Sequence, residues 1–261
     1  MQSTSVNPAV RGQVSEATPR KTYARLIGAL FLIGFLTYGT GFGLINSVIT
    51  APDFPANVAA ASTILLIGAF LMLLNTVVDI SKGVLFFPIL ENHGKRTALV
   101  YLAAIVVQVV FLDIGALFLL MLVPLAGIAA DAGASSAAWA PGIASLLTES
   151  NTLAYNVGQA TLSFGGVFLC LLLFRTRLIP QLLAGLGVVG YVLHAGGAVS
   201  EIFGLPISLY LLIPGAIFEV GIAFWLIFKG FNSAAVGKGI SRVGADRPIP
   251  GQAAAPIAAA T

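Results

Sequence analysis

Ala60–Leu90, reading AASTILLIGAFLMLLNTVVDISKGVLFFPIL, is closed by the polar turn ENHGKR over Glu91–Arg96, and these two pieces decide the fold. A membrane-crossing helix takes about 20 apolar residues, and this run exceeds that length enough to be tilted or to protrude. Working outward, five more runs have the same character: 24–49 before it, then 97–129, 151–174, 181–203 and 206–228. The whole chain agrees. Of its 261 residues 58% are apolar and 9% charged, against about 25% charged in an ordinary soluble domain. The mean hydropathy is +0.98. The fold class is therefore all-α, a polytopic transmembrane helical bundle of six spans. The first run is longer than the 7–15 residues of a signal-peptide core and lacks a cleavage pattern, so it reads as a retained span.

Between the spans, the sequence organises itself by charge. Residues 1–22 read as a disordered N-terminal tail, 23–230 as the membrane domain and 231–261 as a disordered, Gly/Ala/Pro-rich C-terminal tail. Pro124 predicts a kink near the end of the third span, and 142–147 a short interfacial helix beside Trp139. Lys and Arg flank the spans at Arg25, Lys95, Arg96, Arg175, Arg177 and Lys229, whereas the three alternate loops carry none. Every basic residue except Lys82 falls on one side, which places both termini in the cytoplasm. Three spans plus three is also the arithmetic of an inverted repeat, although the halves show no convincing similarity.

Several chemistries are excluded. A single cysteine, Cys170, allows no internal disulfide, thiolate cluster or Cys-x-x-Cys pair. Two histidines, His93 and His194, cannot build a bis-histidine haem relay or a histidine-rich di-iron site. Neither a Walker loop nor a Gly-x-Ser-x-Gly elbow occurs. No cofactor is expected. The net charge of +3 lies in the span flanks rather than in a basic patch with interleaved aromatics, so nucleic acid is not an expected partner.

What remains is a set of polar groups inside the membrane, each costing roughly 2.5–3.5 kcal/mol at mid-span if charged. Asn75, Asp79 and Lys82 share one helical face. Gln108 and Asp113 lie five apart, about 140° around their helix, so one faces the bundle centre and the other a neighbour. Asn156 and Gln159 belong to a polar stripe with Thr152, Tyr155 and Ser163; His194 and Glu201 share a face; Glu219 follows Pro214 and Gly215. At 1.5 Å per residue, Asp79 and Glu219 lie roughly 15 Å from the cytoplasmic end, and Asp113, Gln159 and His194 roughly 20–22 Å. These five groups on five helices form one mid-membrane layer, with Asn156 and Glu201 nearer the outer surface.

Each has a structural reading beside the functional one. Asp79 and Lys82 can neutralise each other, with Lys82 snorkelling inward. The polar stripe can be interhelical glue. His194 can donate to a carbonyl or to Glu201. Glu219 has no basic residue in its own span, so it is either protonated or paired across the bundle with His194 or Lys82. The Gly39–Gly43 spacing reads as close helix packing.

Certain segments resemble the bacterial integral membrane proteins grouped as domain-of-unknown-function family 4386. They are Arg25–Gly28 (RLIG), Asp79–Gly83 (DISKG), Gly158-Gln159, Leu178–Gly187 (LIPQLLAGLG), Ile213–Glu219 (IPGAIFE) and Leu226–Gly230 (LIFKG). The resemblance covers roughly residues 20–230. It implies a multi-pass protein of the bacterial plasma membrane and supplies neither an activity nor site residues.

Three functions fit these residues. The first is a pocket that binds or acts on a lipid-like small molecule, with Asp113 and Glu219 as acid and partner, tuned by Asp79 and His194. The second is a proton- or ion-coupled transporter using the same layer as a relay, for which a chain of this size would call for homo-oligomerisation. The third is a non-catalytic membrane partner or regulator whose polar residues only pack helices. Beyond the bilayer itself, the expected partners are that lipid-like molecule and a second copy of the chain.

Overall fold

The computed structural model describes residues 8–50, 56–133 and 138–237, with side-chain placement from residue 21 onward. Among the described residues seven helices follow in order, α1 (Pro8–Ile49), α2 (Ala56–Ala60), α3 (Ser62–Leu120), α4 (Leu122–Ala132), α5 (Ala140–Thr176), α6 (Gln181–Ile202) and α7 (Ser208–Phe228), and a last helical turn covers 233–237. The described residues contain no strand. Among the described residues five stretches are long and apolar enough to cross a membrane: Lys21–Ile49, Ser62–Ala132, Ala140–Thr176, Gln181–Ile202 and Ser208–Phe228.

The second of these is a hairpin. Gly94 leaves helical geometry at φ −179°, ψ 80°, inside the polar turn that the sequence marks. On either side of it, Gly83 packs against Leu102 and Ile105, and the Phe86 and Tyr101 rings meet edge to face at 6.0 Å. A straight helix would hold Gly83 and Ile105 about 33 Å apart. The chain thus folds back into two antiparallel arms, 62–93 and 95–120. A second interruption, at Met121, separates α3 from α4. Pro124, three residues on, has no N–H for the Leu120 carbonyl, which accounts for the break near its expected place.

Six long rods result, arranged as a ring: α1, the two arms of α3, α5, α6, α7, and back to α1. Small residues set the spacing, because in an apolar medium close backbone packing rather than hydrophobic exclusion holds helices together. A Cβ on Gly41 would come within 2.6 Å of the Gly68 carbonyl oxygen of the first arm, and one on Gly28 within 2.5 Å of the Ala223 carbonyl oxygen of α7. Gly190 of α6 lies directly against Gly215 of α7.

Two apolar cores fill the ends of the ring. At the end carrying the 91–96 and 175–180 turns, Phe31, Phe86, Tyr101, Leu169, Phe218 and Leu226 are all but inaccessible. At the other end, Ile45, Leu65, Leu119 and Leu122 pack with α2, α4 and the start of α5.

Three boundaries differ from the sequence reading. The helix holding the first span begins at Pro8, within the expected N-terminal tail, whose residues 1–7 lie outside the described ones. No separate interfacial helix forms over 142–147: Pro141 sits in the first turn of α5, where its missing N–H costs nothing, and the helix runs unbroken to Thr176. The expected C-terminal tail starts later than residue 231. Phe231 stacks edge-on to Phe86 at 5.9 Å, the Asn232 N–H donates to the Leu178 carbonyl at 2.9 Å, and the Ala235 carbonyl lies 3.0 Å from His93 Nε2. These contacts fasten 231–237 to the bundle end; residues 238–261 lie outside the described ones.

Candidate functional site

Between the two cores the ring encloses a cavity of about 560 Å³ to which every one of the six rods contributes. One copy of the chain is enough to build it. The wall formed by the α3 hairpin is polar and fully engaged. Asp79 Oδ1 accepts from Lys82 Nζ at 2.8 Å, while Asp79 Oδ2 accepts from Asn75 Nδ2 at 3.2 Å and from Gln108 Nε2 at 3.4 Å. Thr37 of α1 donates to Asn75 Oδ1 at 3.3 Å, and the Lys82 ammonium stands 4.5 Å from the centre of the Phe31 ring. Asp79 and Lys82 are each 6% exposed. Lys82 therefore neutralises Asp79 in place rather than snorkelling to an interface. A buried ion pair persists when its remaining lone pairs are also satisfied, as here.

The facing wall is different. Glu219 of α7 accepts one hydrogen bond, from the Tyr191 hydroxyl of α6 at 2.7 Å. The structure gives it neither His194 nor Lys82 as a hydrogen-bonded partner. His194 and Gln159 line the cavity at 7% and 8% exposure, and among the described residues neither side chain makes a hydrogen bond to protein. The expected bond from His194 to a carbonyl or to Glu201 is absent. Glu201 instead accepts the Ser208 N–H at 3.3 Å, near the mouth. Asn156 donates to the Thr152 carbonyl of its own helix at 2.9 Å, so this member of the α5 stripe turns back on its own backbone. Tyr155 of that stripe stacks on Tyr38 of α1, ring centres 5.6 Å apart and 25° from parallel.

Nine of the ten residues singled out in the sequence line this one cavity. Asp113 does not. With Gln108 turned to the bundle centre, the 140° offset carries Asp113 away from the cavity, half-buried beside Thr76 of the first arm, its Oδ1 buried with no partner among the described residues. Sequence reasoning missed Tyr191, although it lies one turn before His194 on the same face. It also missed Tyr38 and Phe31, which are one helical stripe of α1 at seven-residue spacing.

The third side of the cavity is a doorway. The α1–α7 seam is tight at Gly28 against Ala223 and Ile227. Beyond Phe31, no residue of α1 is buried from 32 to 40, and none of α7 before Gly215. Over that length the cavity is edged by Phe35, Gly39 and Phe42 on one helix and by Leu209, Leu212 and Ala216 on the other. The outer edge is exposed, Phe42 at 52% and Leu209 at 69%. The chamber therefore pairs a polar floor with an apolar mouth that opens sideways between two membrane-length helices. Among the described residues no group of three His, Cys, Asp or Glu side chains is placed to hold a metal ion.

A family profile described as "Domain of unknown function (DUF4386)" matches residues 26–230, most of the chain and all six rods of the ring. The chain belongs to the DUF4386 family. No curated protein and no solved structure matches it. The DUF4386 match stops at residue 230, just before the segment that caps the bundle end. It spans both cavity walls, the doorway and the Gly190–Gly215 contact, so the whole chamber is built from DUF4386 sequence.

Proposed function

We propose that this DUF4386 protein is a six-span protein of the bacterial plasma membrane, both termini cytoplasmic, that binds a lipid-like amphiphile in the cavity. The carrying observation is the sideways doorway joined to the polar floor. A polar head can reach Glu219, His194 and Gln159 while its chain stays among Phe35, Phe42 and Leu209 at the lipid boundary. Sites for small molecules commonly combine such an apolar enclosure with a few convergent polar groups. Glu219 and His194 are the side chains placed to exchange a proton with an occupant. The six rods are read as six crossings, oriented by the basic residues gathered at the end that the aromatic core closes.

Native mass spectrometry of gently purified protein tests this reading. Wild type is expected to carry a discrete co-purified mass, reduced about tenfold in Glu219→Gln, the equivalent of one charge-assisted hydrogen bond. A bare spectrum from both proteins would sink it. The doorway has its own test. A Cβ at Gly39 meets nothing within 4 Å, so Gly39→Phe adds a ring at the mouth without a clash at its base. It should fold as wild type and retain about a tenth of the co-purified mass; undiminished occupancy would mean that the occupant enters elsewhere.

A further inference from the structure

The cavity is rich in acceptors. Three carboxyl groups line it, Asp79, Glu201 and Glu219, against the single ammonium of Lys82. That ammonium is already committed to Asp79 and to the Phe31 ring. Glu219 has one hydrogen bond, to Oε1, and Gln108 Oε1 is buried with no partner among the described residues. A carboxyl group and a carboxamide oxygen left short of donors inside the bundle are costly to ionise or to leave unpaired, and an occupant that brings donors and positive charge removes that cost and favours the ionised form of Glu219. Two more side chains over nine-tenths buried, His194 and Gln159, face the same space without protein partners. The walls also carry aromatic faces at Tyr38, Tyr155 and Phe35, surfaces that attract cations as Phe31 already does for Lys82.

We propose that the occupant is a cationic amphiphile: an alkyl chain ending in a protonated amine. Its ammonium sits against Glu219 with Gln159 and His194 beside it, Glu201 draws it toward the mouth, and its chain leaves between α1 and α7. This rests on the amphiphile-binding reading above and adds the charge of the head. An anionic head would find no uncommitted cation among the lining residues to offset its own charge, and two carboxyl groups, Glu219 and Glu201, beside it, which disfavours it against an ammonium.

The test is native mass spectrometry of the full chain in nonionic detergent, titrated with hexadecylamine, hexadecanol or palmitate at equal concentration. Hexadecylamine is expected to occupy the wild type about tenfold better than either of the others. That preference should collapse in Glu219→Gln and in Gly39→Phe, and persist in Asp113→Asn, which lies outside the cavity. Lysophosphatidylethanolamine in a parallel titration distinguishes the source: binding as tight as the free amine assigns the ammonium to a lipid headgroup, and weaker binding assigns it to a simple long-chain amine. Palmitate or hexadecanol binding as well as the amine, with Glu219→Gln or Gly39→Phe weakening it, would overturn the cationic assignment and leave the pocket standing. Saturable binding of none of the four would overturn the pocket itself.

Discussion

Lys82→Met is expected to destabilise the protein by about 3–5 kcal/mol, because it leaves the Asp79 carboxylate buried with no countercharge. Asn75 and Gln108 still donate to it, but two amide hydrogen bonds do not replace an ammonium at 2.8 Å. The second substitution settles the cause. Adding Asp79→Asn removes the orphaned charge and keeps an oxygen to accept from Gln108, so the double variant should recover most of the loss. Thermal unfolding midpoints of the wild type and the two variants, followed by size-exclusion chromatography in a mild detergent, measure this. Equal loss in the single and double variants would mean that the ammonium acts through its packing on Phe31 and not through its charge.

A comparable loss is expected from a single methyl group at the α6–α7 contact. In Gly190→Ala the new Cβ would lie 2.7 Å from both the nitrogen and Cα of Gly215 and 3.0 Å from the Pro214 carbonyl carbon. All three are backbone atoms and cannot rotate aside, so α7 itself must move. Overpacking of this kind costs about 1–3 kcal/mol, and the top of that range fits a clash with three main-chain atoms of α7. Glu219 sits one turn beyond Gly215, so the shift also lengthens the 2.7 Å bond from Tyr191. Lower thermal stability together with lost occupancy is the expected result. Gly39→Phe is the contrast, since it should lose occupancy alone. Wild-type stability in Gly190→Ala would show that α7 yields freely at this point.

The sequence exposes the rods, the turn at Gly94 and the Asp79–Lys82 pair, because each leaves a mark in polarity or spacing. Of the acidic side chains that the i, i+3 rule cannot pair, Asp113 and Glu219 divide in the way that only three-dimensional packing decides: one turns away from the cavity, the other lines it. The doorway leaves no mark at all. In water, a helix face tells core from surface by its hydrophobicity, but a lipid-facing position is as apolar as a buried one. Leu36 at 69% exposure and Leu182 at 89% read no differently from Leu169 or Phe31, which are buried. The partners of Tyr38 and Tyr191 are hidden for the same reason. Residues 231–237 deceive in the opposite sense, since Phe231 and Val236 are too few among Gly, Asn, Ser and Ala to announce a packed segment.

The seam between α1 and α7 is fastened at one end only, and the aromatic core seals the chamber behind it. Among the described residues, the apolar edge between α1 and α7 is the threshold on which the proposed binding depends. If the proposed amphiphile enters there, one guest must step out before another can step in, and turnover is governed by the escape of the resident and not by the abundance of newcomers. A through-flowing conduit would need the opposite: a second threshold, opened by breaking the packing of Phe31, Phe86 and Phe218.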